Sequence, residues 1–302
     1  MTVSDRLVLR LATRKSALAL AQARAWAETL MAKRPDVSIE EVHVVTTGDR
    51  IQDRPLQEVG GKGLFLKEIE ETLAAGGAEF AVHSIKDVPA ELAPGLVLAA
   101  IPPREDPRDV LVSREGKRLD DLPDGAIVGT SSLRRRVFLQ RARPDLRIVP
   151  LRGNVDTRLR KAAEGEVDAI VLAYAGLRRL GLGERATEIL DPRVMVPAIG
   201  QGALGIEARA GDTRVIEALR TTHDLETAIA VSAERGVMLA VEGSCQVPVA
   251  AYAWHACDRL RVIAMLADID GSRVRIRELD VPYPSTEEES ARLGRELGAG
   301  LK

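Results

Sequence analysis

A cysteine in a turn-like setting is the first residue of this sequence that could do chemistry. Cys245 lies in VEGSCQVPV, where Gly243 and Ser244 precede it and Pro248 follows, rather than in an apolar run typical of unreactive cysteines. Its thiolate would be a soft nucleophile able to form a stable thioether. An unreactive thiol is the alternative, and this fits the second cysteine, Cys257 in AYAWHAC, better. The absence of a nearby histidine argues against protease-type catalysis at Cys245.

A carboxylate in AVHSIKDVPA, Asp87, is the candidate acid–base group. The pattern predicts a strand that delivers Asp87 to its carboxyl end, with Pro89 stopping it. The neighbouring cation of Lys86 should favour the ionised carboxylate, which could stabilise a developing cation or move a proton. Two alternatives stay open. Asp87 could be a turn or capping residue, and Lys86 could form a Schiff base, although nothing local indicates the desolvation that such a lysine needs.

The segment from 128 to 161 is strongly cationic, with ten basic residues against Asp145 and Asp156. In VGTSSLRRR a strand is predicted to end at three hydroxyl residues, and a helix follows directly, so hydroxyl and backbone N–H groups gather at a helix N-terminus. Positive charge in that first turn opposes the helix dipole and is better explained by a bound anion than by folding. A solvated arginine face is the alternative. The candidate anion ligands here are Thr130, Ser132, Arg134 and Arg135.

Further arginines follow other predicted strands. Arg152 and Arg158 come after the next strand, Arg179 closes LAYAGLRRLG, and Arg14 precedes Ser16 after the first strand. Because ligands of open α/β sheets bind beyond the carboxyl ends of the strands, we expect these groups to converge on one crevice. Guanidinium groups bind carboxylates and phosphates bidentately, and a small polycarboxylate fits this set best.

Composition limits the other classes. The chain has three Phe, three Tyr and two Trp, too few near the arginines for base stacking, and we expect no nucleic acid. GGKG at 60–63 does not make a P-loop, and the two cysteines and four histidines lack metal-ligand spacing, so we expect no metal. No apolar run is long enough to span a bilayer, and the first residues lack a secretory signal pattern. We therefore expect a cytoplasmic protein of two or three domains that does not associate with membranes.

Strand and helix patterns alternate along most of the chain. LVLRLAT (7–13) predicts a strand, the next segment a helix capped by Ser16, and 37–47 a second strand, an arrangement that implies parallel strands with right-handed crossovers. A similar α/β set starts after REDPRD. The segment 192–205, rich in Gly and Pro, could carry the chain back across the hinge. Helices, three alternating strands with a turn at Asp270-Gly271 and a last helix near 286–300 complete the sequence, and the loop 48–63 is a candidate lid.

Nine tracts, in order, resemble the porphobilinogen deaminase (hydroxymethylbilane synthase) family. They are LRLATRKSALALAQA, VGGKGLFLKEIE, AVHSIKDVP, REDPRD, VGTSSLRRR, LRGNVDTRL, LAYAGLRRLGL, PAIGQGALGIE and EGSCQVPVAAYA. The resemblance implies two α/β lobes similar to periplasmic binding proteins, with the active site between them, and a small α+β C-terminal domain. On this basis we expect the first lobe at 1–103 and 200–221, the second at 104–199 and the third domain at 222–302.

The resemblance also implies an activity. Family members join four porphobilinogen molecules head to tail with loss of ammonia, on a dipyrromethane cofactor held by a thioether, and release hydroxymethylbilane by hydrolysis. The anchoring thiol corresponds to Cys245, the catalytic carboxylate to Asp87, and Lys62 to a residue of the lid loop. Binding of acetate and propionate side chains is implied for Arg14, Ser16, Lys86, Thr130, Ser132, Arg134, Arg135, Arg152, Arg158 and Arg179. A monomeric transferase of tetrapyrrole and haem biosynthesis is expected, and the rival is a two-lobed polycarboxylate-binding protein without catalysis.

Overall fold

The computed structural model describes residues 6–50, 66–242 and 247–302. Cys245, Lys62 and most of the predicted lid loop therefore lie outside the described residues. The strands are β1 Leu7–Thr13, β2 Val37–His43, β3 Phe80–Ser84, β4 Leu96–Ala100, β5 Asp109–Ser113, β6 Ile127–Gly129, β7 Arg147–Val149, β8 Ala169–Ala173, β9 Glu188–Ile189, β10 Leu204–Arg209, β11 Val249–Ala256, β12 Arg259–Leu266 and β13 Arg275–Pro282. The helices are α1 Ala17–Lys33, α2 Thr47–Arg50, α3 Lys67–Ala74, α4 Leu133–Ala142, α5 Val155–Ala163, α6 Tyr174–Arg179, α7 Thr213–Arg220, α8 Leu225–Ala240 and α9 Glu287–Ala299.

The chain divides into two compact units, and the first comprises Met1–Arg104 and Ala203–Ala228. Its sheet has the order β2-β1-β3-β10-β4. The strands β2, β1 and β3 run parallel, as predicted, and their apolar residues pack against α1, where Trp26 and Leu30 are buried. The helix α1 begins directly after Ser16, but the Ser16 side chain accepts no capping hydrogen bond. The prediction that Ser16 is the N-cap residue is therefore confirmed, although its side chain makes no capping hydrogen bond.

The strand β10 is a feature that the sequence patterns did not predict. It lies between β3 and β4 in the first sheet and pairs antiparallel with both. Five of its six residues are buried, so it lacks the alternation of apolar and polar residues that marks a half-exposed strand. The parallel pairing predicted from the strand–helix–strand pattern therefore does not extend to the pairs that β10 makes.

The second unit comprises Glu105–Gly202 and Ile229–Lys302 and contains two sheets. The larger has the order β7-β6-β8-β5-β9, with β5 antiparallel to its neighbours β8 and β9. The smaller is the antiparallel sheet β11-β12-β13, and the predicted turn at Asp270-Gly271 lies between its last two strands. The predicted fold class, two α/β lobes with a smaller α+β C-terminal domain, is confirmed.

The C-terminal sheet is packed on both faces within the second unit. Ile263 and Met265 of one face share a core with Val137 and Phe138 of α4. Apolar residues of the other face, with Val262 and Leu260 among them, pack with α8 and α9. The sheet is thus held against the same helix whose first turn carries the arginines of the predicted anion site. No helix in the described ranges has both the length and the apolar character to cross a bilayer.

Candidate functional site

Asp87 lies on a short turn at the carboxyl end of β3. The strand ends at Ser84 and not at Asp87, because residues Ile85–Asp87 form one turn of 3-10 helix. Ile85 is buried and anchors this turn, since its backbone N–H donates to the carbonyl of Ala203 at 3.0 Å. The Asp87 side chain is exposed, and among residues 6–50, 66–242 and 247–302 no hydrogen bond or ion pair engages its carboxylate. The carboxylate is therefore available to a ligand.

A glycine on β10 makes room for this turn. A Cβ atom at position 205 would lie 2.5 Å from Cδ1 of Ile85, a distance that real contacts do not reach. Gly205 therefore lets Ile85 pack into the sheet, and Ile85 in turn fixes the position of Asp87. The tract QGALGIE shows this glycine in the sequence, but its role becomes visible only when β10 is paired with β3.

The first unit places several predicted ligands at one edge of its sheet. The strands β1 and β3 are parallel neighbours, with Ala12 opposite Ala81. Because the carboxyl ends of parallel neighbours meet at the same edge, the residues that follow them are brought together there. These residues are Arg14 and Ser16 after β1, and Lys86 and Asp87 after β3, of which the first three are half-buried.

In the second unit, hydroxyl groups collect between β6 and α4. Ser132 caps α4 by accepting a hydrogen bond from the backbone N–H of Arg135 at 3.4 Å. The Thr130 hydroxyl accepts from the backbone N–H of Ser132 at 3.2 Å, and the Ser131 hydroxyl donates to the carbonyl of Leu151 at 3.0 Å. The predicted helix start and its hydroxyl cap are confirmed.

Arg134 and Arg135, in the first turn of α4, share a buried protein carboxylate. Both are buried, and Asp109 is 0% exposed. Arg134 donates from Nη1 to Asp109 Oδ2 at 2.7 Å, and Arg135 donates from Nη2 to Asp109 Oδ1 at 2.7 Å. Burial alone would raise the pKa of Asp109, but the two guanidinium groups outweigh it and hold that pKa well below its usual range. The charge that opposes the helix dipole thus has a partner inside the protein, which the sequence patterns did not predict.

Arg152 and Arg158, around the start of α5, are in a different electrostatic setting. Arg158 donates from Nε to the carbonyl of Gly153 at 2.8 Å, and both side chains are half-buried. In the described parts of the chain no carboxylate pairs with either guanidinium. Burial, together with repulsion from Arg135 and Arg152, lowers the pKa of Arg158 to about 10. Arg135 and Arg152 therefore each repel the charge of Arg158, and an anionic ligand would relieve that repulsion.

Arg179, at the end of α6, is tied to the segment that leads into β10. Its Nη2 donates to the carbonyl of Gly202 at 2.6 Å. Burial lowers the pKa of Arg179, and Glu105 opposes this shift. The neighbouring Arg178 is exposed, lies 3.4 Å from a Glu105 carboxylate oxygen and stacks over Tyr174. Arg179 is thus positioned by the backbone of the same unit.

The predicted ligand-binding residues of the first unit lie at one edge of its sheet, whereas those of the second unit lie at two helix starts and, for Arg179, at the end of α6. The second unit brings Thr130, Ser132, Arg134 and Arg135 to one helix start, and Arg152 and Arg158 to the next. The convergence of all of them on one crevice stays a prediction, as do the roles of Cys245 and Lys62. Among the described residues, no group of three or more His, Cys, Asp or Glu side chains is arranged to hold a metal ion.

Comparisons with known proteins identify the family. The profile of the porphobilinogen deaminase, dipyromethane cofactor binding domain matches residues 9–217, and that of the porphobilinogen deaminase C-terminal domain matches residues 228–302. Proteins named porphobilinogen deaminase include relatives from Sorangium cellulosum (62% identical, covering 97% of this chain and 98% of the relative), Syntrophotalea carbinolica (50%, covering 96% and 92%) and Syntrophobacter fumaroxidans (49%, covering 99% and 95%).

Solved structures with some likeness are more distant. The BvgS VFT2 domain of Bordetella pertussis is 18% identical, with a TM-score of 0.42 over 71% of this chain and 86% of that domain. The BenM effector binding domain, solved with its effector benzoate, is 15% identical, with a TM-score of 0.45 over 72% of this chain and 91% of that domain. The assignment to a family therefore rests on the sequence matches.

These matches define a cofactor-dependent transferase of tetrapyrrole biosynthesis, built on two α/β lobes and a C-terminal domain. The chain belongs to the porphobilinogen deaminase family.

Proposed function

We propose that the chain condenses four porphobilinogen molecules head to tail, with loss of ammonia at each step, on a dipyrromethane primer, and then releases hydroxymethylbilane by hydrolysis. The observation that carries this proposal is that Arg152 and Arg158 pair with no carboxylate among the described residues, while burial and repulsion from Arg135 and Arg152 lower the pKa of Arg158 to about 10. Each porphobilinogen brings two carboxylates, so a growing chain needs cations that are not already paired within the protein.

The residues of the second unit fit a dipyrromethane chemically. A group that carries acetate and propionate side chains needs hydroxyl and guanidinium donors, and the starts of α4 and α5 supply both. We propose that the cofactor is held by Thr130, Ser132, Arg134, Arg135, Arg152, Arg158 and Arg179, with Arg14, Ser16 and Lys86 contributing from the first unit. When bound, the dipyrromethane supplies the pyrrole carbon to which the first substrate is joined.

Asp87 performs the chemical step in this proposal. Its carboxylate is exposed and has no protein partner among the described residues, so it can accept a hydrogen bond from a pyrrole N–H. As ammonia leaves porphobilinogen, the same negative charge stabilises the cation that develops on the substrate.

The test of Asp87 compares its variants with a matched surface change. Asp87→Glu and Asp87→Ala should keep the fold and lose most turnover, about 100-fold or more, because the charge is displaced or removed. Asp121→Ala, which removes another exposed carboxylate, should retain normal turnover. Hydroxymethylbilane formation is measured by absorbance after its oxidation to porphyrin, and circular dichroism checks the fold. Normal turnover in both Asp87 variants would remove Asp87 from the mechanism.

We also propose that Cys245 anchors the cofactor through a thioether and that residues 222–302 form the domain that carries it. Intact-protein mass spectrometry should show a covalent addition of two pyrrole units, and Cys245→Ser should lack it. Cys257→Ser is the matched control and should keep the addition, because Cys257 is exposed on a turn of the C-terminal sheet. An unmodified chain that is fully active would refute the anchor.

Other parts of the proposal concern the location, oligomeric state and binding partners of the protein and the role of its lid loop. We propose a cytoplasmic monomer that binds porphobilinogen and no nucleic acid, with Lys62 acting in the lid loop. Light scattering during gel filtration tests the monomer, and deletion of the Lys62 charge in Lys62→Met should alter KM for porphobilinogen more than kcat. The rival, a polycarboxylate-binding protein without catalysis, is not favoured by the family match, and release of ammonia from porphobilinogen would exclude it.

A further inference from the structure

The carboxylate of Asp109 is the centre of a hydrogen-bond network in the second unit. Besides the contact from Nη1 of Arg134, it receives two hydrogen bonds from Arg135, one from Nε at 3.0 Å and one from Nη2 at 2.7 Å. The amide Nε2 of Gln201 donates to Oδ1 at 3.1 Å and to the carbonyl of Pro107 at 2.7 Å. Gln201 and Asp109 are both buried, so this network is shielded from water.

Each guanidinium group of the pair is also fixed at a second point. Arg134 donates from Nη1 to the carbonyl of Val196 at 2.6 Å, and Arg135 donates from Nη1 to the carbonyl of Val171 at 2.9 Å. Two contacts on a planar group define its orientation as well as its position. Within the described residues Arg134 makes hydrogen bonds through Nη1 only, so its Nε and Nη2 donors are left for a ligand.

Stability does not explain this arrangement. Burying two guanidinium groups and one carboxylate has a large desolvation cost, and apolar residues of similar volume often serve a core equally well. The cost is visible in Arg134, because burial and repulsion from Arg135 lower its pKa although Asp109 acts to raise it. One carboxylate between two guanidinium groups also leaves a net positive charge. This net positive charge favours the binding of an anion, whereas it has no use in a hydrophobic core.

We propose that Asp109, supported by Gln201, is a positioning residue that sets the orientation of Arg134 and Arg135 for binding ligand carboxylates. The inference rests on the proposed function, since it assumes that these arginines bind the acid side chains of cofactor and substrate. Asp109 does not touch the reacting atoms in this scheme. It holds two donors in fixed orientations and neutralises half of their charge.

The experiment compares Asp109→Asn, Asp109→Glu and Gln201→Leu with the wild-type holoenzyme. Asp109→Asn removes the charge and turns an acceptor atom into a donor facing a guanidinium group, whereas Gln201→Leu removes only the supporting amide. Glu79→Gln is the matched control, because it weakens a bidentate carboxylate–guanidinium pair with Arg10 in the first unit, at residues with no proposed role in binding. The readouts are the fraction of chains with the two-pyrrole addition, KM and kcat per loaded chain, and the thermal midpoint.

The expected result is a defect in binding that exceeds the loss of stability. Asp109→Asn should lower the loaded fraction and raise KM for porphobilinogen about 10- to 100-fold, the effect of losing well-oriented hydrogen bonds to charged groups, while kcat changes less. Asp109→Glu keeps the charge and should recover part of the loading. Gln201→Leu should raise KM about 3- to 10-fold, and Glu79→Gln should leave loading and KM unchanged even if its thermal midpoint falls.

Two other outcomes overturn separate parts. If Asp109→Asn and Gln201→Leu are loaded as the wild type is and keep its KM within about twofold, the carboxylate is structural and the inference is wrong. If Asp109→Asn fails to fold, the same criterion applies to Gln201→Leu and Asp109→Glu. If the wild type itself carries no addition and does not consume porphobilinogen, the proposed function fails, which is distinct from a failure of the inference alone.

Discussion

Two helix starts in the second unit carry the same pair of side chains in opposite electrostatic settings. At the start of α4, Arg134 and Arg135 are buried and share the carboxylate of Asp109. At the start of α5, Arg152 and Arg158 are half-buried and have no carboxylate partner in the described residues. The first pair is fixed in orientation and partly neutralised, and the second pair keeps its full charge.

We propose that arginines in similar sequence settings divide the work of binding one polyanionic ligand. A fixed pair supplies donors at defined positions, which favours geometric selection of a carboxylate. An uncompensated pair supplies net charge, which attracts any anion and is screened by salt. The lowered pKa of Arg158 is the physical sign of this second setting, since burial and neighbouring cations both disfavour its charge.

Replacement of Asp109 is expected to give the largest difference in stability effect between the α4 arginine pair and the α5 arginine pair. Asp109→Ala leaves two buried guanidinium groups without a counter-charge and should lower the free energy of unfolding by about 3–5 kcal/mol. Arg158→Met removes a charge that has no counter-charge and should change that free energy by less than about 1 kcal/mol, or raise it. Urea unfolding of both variants at pH 7 measures the difference.

Glu79→Ala provides the control for Asp109→Ala. It breaks the pair with Arg10, whose side chain is 42% exposed, and solvent there should limit the loss to about 1 kcal/mol. An Asp109→Ala variant no less stable than Glu79→Ala would mean that water or another group neutralises the α4 pair, and the contrast with α5 would no longer hold.

Binding of a polycarboxylate should test whether Arg152 and Arg158, the α5 pair, attract an anion in a chain that lacks the covalent primer. In the Cys245→Ser background, citrate at about ten times its dissociation constant should raise the thermal midpoint by about 2 °C, because it binds the folded state. Adding Arg152→Met and Arg158→Met should abolish this shift. Differential scanning fluorimetry at low salt measures it, and added chloride should weaken it through screening.

Arg136 and Arg141 allow a control of equal charge. Both are exposed on α4, so Arg136→Met with Arg141→Met removes the same net charge from a solvated surface. This variant should keep the citrate shift. An equal loss of the citrate shift in both double variants would show that citrate binding depends only on the total charge of the chain. Arg152 and Arg158 would then have no specific role in binding the anion.

The sequence predicted the positions of many ligand-binding residues because these residues follow a local rule. Hydroxyl and basic residues directly after an apolar run indicate the carboxyl end of a strand, and this rule placed Ser132 at a helix start and Arg14 after β1, as observed. Tracts that resemble a known family added the roles of these residues, and the comparisons confirmed the family.

Local sequence patterns did not predict which protein groups contact those ligand-binding residues. Asp109 opens the strand β5 and lies 25 residues before Arg134 and 92 residues before Gln201, so no periodicity links them. Its sequence, DPRDVLVS, looks like an ordinary strand start. The strand β10 was missed for a related reason. Five of its six residues are buried, so it shows no alternation, and its role depends on pairing with the distant strand β3.

The smallest effect expected is a dependence of the folding stability on pH. The contribution of Arg158 should change at high pH, and that of Asp109 only at low pH. The pKa of Arg158 is lowered to about 10 in the folded chain, below its value in the unfolded chain. Its charge therefore destabilises the fold below pH 10, and stability is regained as the pH rises through 10, because the unfolded chain then binds more protons. Since the group is partly solvated, the gain of the wild type over Arg158→Met between pH 8.5 and 10.5 should stay below about 1 kcal/mol.

Asp109 should behave in the opposite way. Its folded pKa lies well below the unfolded value of about 3.9, so its contribution is fully present above that pH and is lost only as the pH falls further. The stability difference between the wild type and Asp109→Asn should therefore be constant from pH 5 to 9, by urea unfolding at each pH. A difference that changed near pH 6 would mean that another titrating group holds the α4 arginines, and the carboxylate would not be what distinguishes them from the α5 pair.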